Sequence, residues 1–195
     1  MMKNIVIGAF VLMVCAQWAV PLSLIRDANK TIRQGAEYKF KTAPVDPVDP
    51  FRGKYITLDY ELRNYYPLDT NEVHFPESST VYALLEEDSA GFAKIRKLVQ
   101  EPPTSDDDFV AVTFQYGYGG VSPLVSLYFP FTTFYLEESK ASEAEHLYWQ
   151  NRWNDSIKCY AKVKVLRGDA KLVDVIYNDS SIVDVVSRIN KNKKE

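Results

Sequence analysis

The chain has 195 residues, a length that suits one domain with a sizeable hydrophobic core. It carries 23 Lys+Arg against 26 Asp+Glu, and no basic stripe suggests nucleic-acid binding, which needs clustered cations. The 13 tyrosines and 10 phenylalanines suit pleated, half-buried surfaces, so the composition leans toward β structure. The two cysteines, Cys15 and Cys159, lie in separate segments, and we predict no disulfide between them.

An apolar segment near the N-terminus runs from Ile5 to Leu22 and contains one strongly polar side chain. At a helical rise of ~1.5 Å per residue it almost spans a ~30 Å hydrocarbon core, and further apolar residues extend it to Ile25. Trp18 lies toward the far end, where an amphipathic ring suits the membrane interface. We therefore predict a lipid-embedded transmembrane anchor over residues 1–25 and one domain over residues 26–195.

A cleaved signal peptide is the alternative interpretation of this segment. The small-residue pattern Val14-Cys15-Ala16 before Gln17 is an acceptable cleavage site. The apolar stretch continues past that point, which favours an uncleaved anchor. Charge does not fix the orientation, because Lys3 precedes the span and three cations follow it, at Arg26, Lys30 and Arg33.

Alternating and aromatic-rich runs predict strands along most of the remaining chain. After a helical continuation that ends at Gly35, we predict strands at residues 37–42, 54–62, 80–86, 92–99, 109–116, 121–129, 131–138, 159–166 and 170–177. Gly117, Gly119 and Gly120 interrupt the strand pattern and are interpreted as a strand break or a bulge. A capping box at Ser142–Glu145 predicts a short helix to about Trp153, and residues 181–189 suit either a strand or a helix. The expected fold is an antiparallel β-rich sandwich or barrel-like domain of the α+β class, with one short helix, on a transmembrane helix.

A stiff arm with three prolines at positions 44–50 precedes the second predicted strand. In a polyproline geometry with three residues per turn, Asp46 and Asp49 project from the same side. Arg52 follows and offers a planar fork for a carboxylate. The arm is either pinned to the domain by an Asp–Arg pair or is a rigid binding surface that presents two carboxylates.

The strand after the arm alternates in side-chain direction. Tyr55, Thr57 and Asp59 point one way, and Ile56, Leu58 and Tyr60 point the other. Tyr55 and Tyr60 are candidate binding residues together with the arm.

A second acidic segment contains Glu137, Glu138, Glu143 and Glu145. Paired carboxylates can hold a hard cation or divide acid and base roles. Glutamates at the start of a helix also favour the positive end of its dipole, which explains them more simply. We retain Glu137, Glu138 and Glu145 as candidate binding residues and predict neither a metal site nor a cofactor.

No motif indicates a Ser–His–Asp triad, a metalloprotease helix or a nucleophile elbow. Two function hypotheses follow. The first is a non-enzymatic accessory or binding protein, with the tyrosine-rich strand faces or the arm as its interaction surface. The second is a hydrolase that uses two carboxylates from the set Asp46, Asp49, Glu137, Glu138 and Glu145. We expect no two of these five to form a buried, opposed pair.

The run Gly-Lys-Tyr-Ile-Thr-Leu-Asp-Tyr at Gly53–Tyr60 resembles the signature of the GDYXXLXY family, a group of uncharacterised bacterial membrane-anchored proteins. The preceding Ala43–Arg52 is similar to the family's lead-in, and Ala16–Pro21 to the end of its anchor helix. A second similar segment covers parts of Phe129–Glu145. The chain departs from the signature at Lys54, where the motif has Asp.

The resemblance implies a single uncleaved anchor in the bacterial cytoplasmic membrane, with the domain outside the cytoplasm. It also implies an integral membrane partner, since family members often accompany a multi-spanning membrane protein. It supplies no catalytic residue.

Overall fold

The computed structural model describes residues 2–43, 55–68, 74–120, 123–137, 140, 144, 147 and 158–192 of the chain. A single helix, α1, runs from Met2 to Gln34. It ends at Gly35, whose N–H donates to the Thr31 carbonyl at 2.9 Å. A Cβ on Gly35 would lie 2.5 Å from that carbonyl oxygen and 2.8 Å from the carbonyl oxygen of Val165. Only glycine therefore fits between the helix end and the sheet, and the predicted helical continuation to Gly35 is confirmed.

The remaining described elements are short strands, one 3₁₀ turn and a C-terminal helix. The strands are β1 Ala36–Ala43, β2 Tyr55–Thr57, β3 Asp59–Tyr60, β4 Asn64–Tyr65, β5 Thr80–Glu87, β6 Ala93–Val99, β7 Phe109–Tyr118, β8 Leu124–Tyr128, β9 Thr133–Tyr135, β10 Cys159–Leu166, β11 Asp169–Tyr177 and β12 Ser180–Ser181. The 3₁₀ turn is Glu61–Arg63, and the C-terminal helix, α2, is Ile182–Asn192.

These strands form two five-stranded sheets and a two-stranded ribbon. The first sheet has the order β12-β11-β10-β1-β3, the second has the order β4-β8-β7-β5-β6, and the ribbon pairs β2 with β9. Every pairing is antiparallel. Buried side chains from both sheets and the ribbon share one core. The predicted antiparallel β-rich domain on a long N-terminal helix is confirmed.

The turn between β10 and β11 joins the two sheets. Gly168 in this turn donates its N–H to the Phe109 carbonyl at 3.1 Å and accepts from the Ala111 N–H at 2.9 Å. These bonds fall on the part of β7 that β8 does not pair, because β8 begins its pairing with β7 only at Thr113. The turn of the first sheet thus hydrogen-bonds to the edge of β7, in the second sheet, where β8 does not pair with it.

The predicted continuous strand over residues 54–62 is wrong. β2 pairs with β9, whereas β3 pairs with β1 in the first sheet. Leu58 lies between them and donates its N–H to the Thr132 carbonyl at 2.7 Å. At this corner the backbone changes from pairing with β9 to pairing with β1. Alternation of side chains along a segment does not indicate which strand that segment pairs with.

The predicted end of the strand at Tyr116 is wrong. β7 continues to Tyr118, and its pairing with β8 shifts register between Phe114 and Tyr116. This register shift is a bulge, the second of the two predicted interpretations, but it lies at Gln115, before the glycines.

The two helix predictions have different outcomes. The segment at 181–189 is helical in α2, where Ile182 and Val186 are buried at a spacing of four residues. Most of the helix predicted from Ser142 lies outside the described residues, although Ala144 and Leu147 are helical and Ala144 is buried.

Candidate functional site

The outer side of the second sheet is built by strand alternation in β8. Val125 and Leu127 are fully buried, so Leu124, Ser126 and Tyr128 point to the opposite side of the sheet. Directly paired residues of antiparallel strands share a side. Tyr116 pairs with Ser126 and Tyr118 with Leu124, so both tyrosines of β7 join this outer side.

A further tyrosine comes from the end of β4. Tyr65 pairs with Val125 and is buried, so the next residue, Tyr66, points outward. Pro67 follows and favours an extended backbone at Tyr66, which continues the alternation. We call the set Tyr66, Tyr116, Tyr118, Leu124 and Tyr128 the tyrosine face.

The tyrosine face is open to solvent. Its exposed fractions are 65% for Tyr66, 63% for Tyr118, 49% for Tyr128 and 41% for Tyr116. The rings of Tyr116 and Tyr118 lie 5.3 Å apart between centroids. Beneath them the buried Ser126 hydroxyl donates to Gln115 Oε1 at 3.0 Å. A cluster of large aromatic side chains on a paired sheet is the type of surface that anchors protein interfaces.

A cavity of about 290 Å³ with a mixed polar and apolar lining adjoins the tyrosine face through Tyr128. One wall is the cross-strand row in which Thr80 pairs with Thr113 and Thr113 with Tyr128. The lining residues are Thr80, Ala111, Val112, Thr113, Tyr128, Pro130, Gly168, Asp169, Ala170 and Lys171.

The charged groups of the cavity are already paired. Lys171 Nζ donates to Asp169 Oδ1 at 2.7 Å, and Thr31 Oγ1 of α1 donates to Asp169 Oδ2 at 2.8 Å. Asp169 therefore uses both carboxylate oxygens to hold the hairpin, the cavity wall and α1 together. The lining offers hydroxyl groups for hydrogen bonding and has no cysteine or histidine.

Several sequence-predicted site residues lie outside the described residues. They are Asp46, Asp49, Arg52, Glu138 and Glu145. The arm and its Asp–Arg pair therefore stay predictions. The backbone of Tyr55 pairs with Tyr135 in the ribbon, and its side chain also lies outside the described set.

Tyr60 lies in the core. It is 1% exposed, and its hydroxyl donates to the Phe131 carbonyl at 2.7 Å. Its ring packs against Phe40 and Phe129, with centroids 5.6 and 5.7 Å away. The predicted alternation is confirmed for this side of the strand, since Ile56 and Leu58 are also buried. This placement makes Tyr60 a packing residue that a ligand from solvent does not reach.

Glu137 lies at the surface. Its side chain is 74% exposed and pairs with Lys140 Nζ at 3.3 Å. It is the one member of the five carboxylates proposed for hydrolysis that falls within the described part of the chain. Across the described ranges, no group of three or more His, Cys, Asp or Glu side chains is arranged to hold a metal ion.

Two carboxylates with lowered pKa values, Asp88 and Asp107, stabilise loops and do not line the cavity. Hydrogen bonds from the backbone N–H groups of Phe92 and Ala90, with the charge of Lys41, lower the pKa of Asp88. Hydrogen bonds from the Ser105 hydroxyl and the Arg96 guanidinium lower the pKa of Asp107. A lowered pKa keeps both carboxylates ionised and unsuited to act as general acids at neutral pH.

Two buried groups have raised pKa values. Burial raises the pKa of the Cys159 thiol, which disfavours the nucleophilic thiolate. Burial, together with the hydrogen bond from its hydroxyl to Asp108 Oδ2 at 2.9 Å, raises the pKa of Tyr38. Neither group lines the cavity.

The individual members of the tyrosine face were not identified from sequence. The alternation of Tyr116 and Tyr118 around Gly117 shows that they share one side of a strand. Tyr66 and Tyr128 come from other strands, and only the sheet order brings the four together.

Comparison with known proteins supports the motif-based assignment. The family model described as GDYXXLXY protein matches residues 17–175, which is most of the chain. No curated protein and no solved structure matches. The signature lies at the corner between the ribbon and the first sheet, where Leu58 and Tyr60 are buried. With this match over both sheets and part of α1, the chain belongs to the GDYXXLXY protein family.

Proposed function

We propose that this protein is a membrane-anchored accessory protein, with its domain outside the cytoplasm of a bacterial cell. Its tyrosine face binds an integral membrane partner. The observation that carries the proposal is the exposure of four tyrosines, beside the half-buried Leu124, on one side of a paired sheet. Aromatic side chains bring large contact area with few rotatable bonds, which suits a protein interface.

The anchor is supported by the surface of α1. Residues Asn4–Gln34 form a helix long and apolar enough to cross a membrane. Its large apolar side chains, such as Phe10, Leu12 and Trp18, are exposed in the isolated chain. Burial of apolar area in lipid removes a cost of roughly 25 cal/mol per Å² in water.

The joint between α1 and the domain supports an anchor that stays attached. Thr31 is buried and bonds Asp169, and Gly35 is in close contact with Val165. Cleavage after Ala16 would leave a helix beginning at Gln17 that exposes Trp18, Val20, Leu22, Leu24 and Ile25. Such a protruding apolar helix suits a membrane and not a soluble mature protein.

Binding is favoured over catalysis by the chemistry of the described site. The cavity next to the tyrosine face has its one Asp–Lys pair bonded internally. Glu137 is solvent-exposed and paired with Lys140. Acid–base hydrolysis needs two opposed carboxyl groups with separated pKa values.

The proposed interface is tested by photocrosslinking in native membranes. A photoreactive phenylalanine analogue replaces Tyr118 in one variant, Tyr135 in a second and Val173 in a third. Tyr135 is an exposed tyrosine of the ribbon, and Val173 is an exposed residue of the first sheet.

We expect the Tyr118 variant to form an adduct with an integral membrane protein, and the Val173 variant to form none. An adduct from the Tyr135 variant alone would move the interface to the ribbon and contradict the tyrosine face. Equal labelling from all three positions would contradict a defined binding face.

A further inference from the structure

The end of α1 carries three cations on one side of the helix. Arg26, Lys30 and Arg33 are spaced four and three residues apart, which places them on one face. They line an open groove of about 480 Å³ along the helix together with Leu22, Ile25, Asn29 and Gln34. We call Arg26, Lys30 and Arg33 the basic face of α1.

The basic face is directed away from the domain. At about 100° per residue, Thr31 and Gly35 lie roughly 140° and 180° around the helix from Arg26. Those two residues are the buried ones, held against Asp169 and Val165. Arg26, Lys30 and Arg33 are all exposed. Docking of the opposite side therefore fixes the direction in which the cations point.

The charges of the basic face are not neutralised within the described part of the chain. No carboxylate there lies within 4 Å of the three cationic groups, whereas Lys164, Lys171 and Arg63 each have such a partner. Three unpaired like charges within two helical turns repel one another. An anion outside the chain would relieve that repulsion.

The position of the basic face along α1 indicates which kind of anion it would bind. If the membrane span ends at Ile25, a rise of ~1.5 Å per residue puts Lys30 about 7 Å and Arg33 about 12 Å beyond it. The headgroup layer is ~5–8 Å deep on each side of the hydrocarbon core, and long cationic side chains reach back toward it. The groove is apolar at Leu22 and Ile25 and cationic beyond them, the order in which a phospholipid carries its acyl chains and its phosphate.

We propose that the basic face of α1 binds anionic phospholipid headgroups in the leaflet that the domain faces. The proposal rests on the membrane anchoring proposed above. It goes beyond it, because an apolar span alone has no preference for anionic over zwitterionic lipid.

The test uses the full-length protein in nanodiscs of phosphatidylcholine mixed with phosphatidylglycerol. The ratio of the two lipids that stay bound on release is measured by native mass spectrometry. The test variant is R26Q/K30Q/R33Q. The matched control is K97Q/K158Q/K191Q, which removes the same charge from three exposed side chains away from the groove.

We expect the wild type and the control to retain phosphatidylglycerol preferentially at low salt. The preference should fall by about fivefold for each cation removed in the test variant, and it should weaken as salt is added. Equal preference in wild type and test variant would overturn the proposal, as would an equal loss in the control. Displacement of the bound lipid by inorganic phosphate at equal concentration would also overturn it, because a simple anion site would explain the result.

Failure of this proposal is distinguishable from failure of the anchoring. All three proteins are first tested for retention in membranes after alkaline washing. Release of the wild type would contradict the anchor itself. Retention of all three with identical lipid ratios would leave the anchor intact and contradict the basic face as a headgroup site.

Discussion

Gly168 is the residue at which backbone conformation and packing both require glycine. Its φ is +90°, and a Cβ there would lie 2.9 Å from the Phe109 ring. Gly91 has a similar φ of +76° but nothing within 4 Å of its Cβ position. A comparison of substitutions at Gly91 and Gly168 therefore separates two free-energy costs. One is the cost of a left-handed backbone, and the other is the cost of a steric contact between the sheets.

We predict that Gly168→Ala destabilises the domain more than Gly91→Ala. The left-handed backbone costs roughly 1–2 kcal/mol in both variants. The steric contact with Phe109 adds about 1–3 kcal/mol only at position 168. Denaturant unfolding of the two variants measures the difference, and equal losses would show that the β10–β11 tip is not tightly held against β7.

The ionisation of Tyr38 is coupled to folding. Its pKa is raised in the folded state by burial and by its hydrogen bond to Asp108. The neutral hydroxyl is thus favoured by the fold. Its contribution to stability is complete below the ordinary tyrosine pKa of about 10 and decreases as the pH rises from there toward the raised value.

We predict that the wild type loses stability more steeply than Tyr38→Phe as the pH rises above about 10. At neutral pH the variant should be less stable by about 1.5–3 kcal/mol, because the buried bond to a charged acceptor is lost. Melting temperatures across the alkaline range provide the measurement. Parallel pH profiles for the two proteins would contradict the coupling.

At the scale of elements, alternation predicted the longer strands well. Five strands lie close to the predicted bounds, because each belongs to a single sheet along its whole length. They are β1, β5, β6, β10 and β11. The break between β2 and β3 was not predictable, since it depends on Thr132 and on which strands lie beside the corner. The tyrosine face was unpredictable for a related reason: sheet order decides which tyrosines are neighbours and which side meets solvent.

The residues of the family signature are better explained by their place in the fold than by a role in a reaction. Leu58 and Tyr60 occupy the core at the change of partner, and Tyr60 bonds the backbone of Phe131. Asp59 lies between them and pairs with Arg63 at 2.7 Å. The signature therefore maintains a corner of the fold, which agrees with a shared architecture and gives no indication of a shared reaction.

The helix α1 is the element with the clearest test. If Met2–Gln34 spans the membrane uncleaved, the full-length protein should stay with membranes after high-salt and alkaline washing, because apolar burial in lipid does not depend on charge. Membrane fractionation with N-terminal sequencing measures this. A soluble form beginning at Gln17 would contradict the anchor.

At the scale of the whole molecule, three parts meet at the β10–β11 hairpin. Asp169 binds α1 through Thr31, and Gly168 binds β7 of the second sheet. The helix, the first sheet and the second sheet are therefore joined within two adjacent residues. These contacts tie both sheets, and with them the cavity and the tyrosine face, to α1. That arrangement suits the binding of a membrane partner proposed above.

The orientation of the whole molecule gives the last prediction. One cation precedes the span and three follow it, so the charges oppose export of the domain without fixing the orientation. The family resemblance favours a domain outside the cytoplasm.

We predict that a C-terminal alkaline phosphatase fusion is active and that a C-terminal green fluorescent protein fusion is dark. The reason is that alkaline phosphatase is active outside the cytoplasm, whereas the green fluorescent protein fluoresces inside it. Replacing Arg26, Lys30 and Arg33 by Gln should raise the phosphatase activity further, because those cations oppose translocation of the domain. A fluorescent fusion with an inactive phosphatase would place the domain in the cytoplasm and contradict the proposed location.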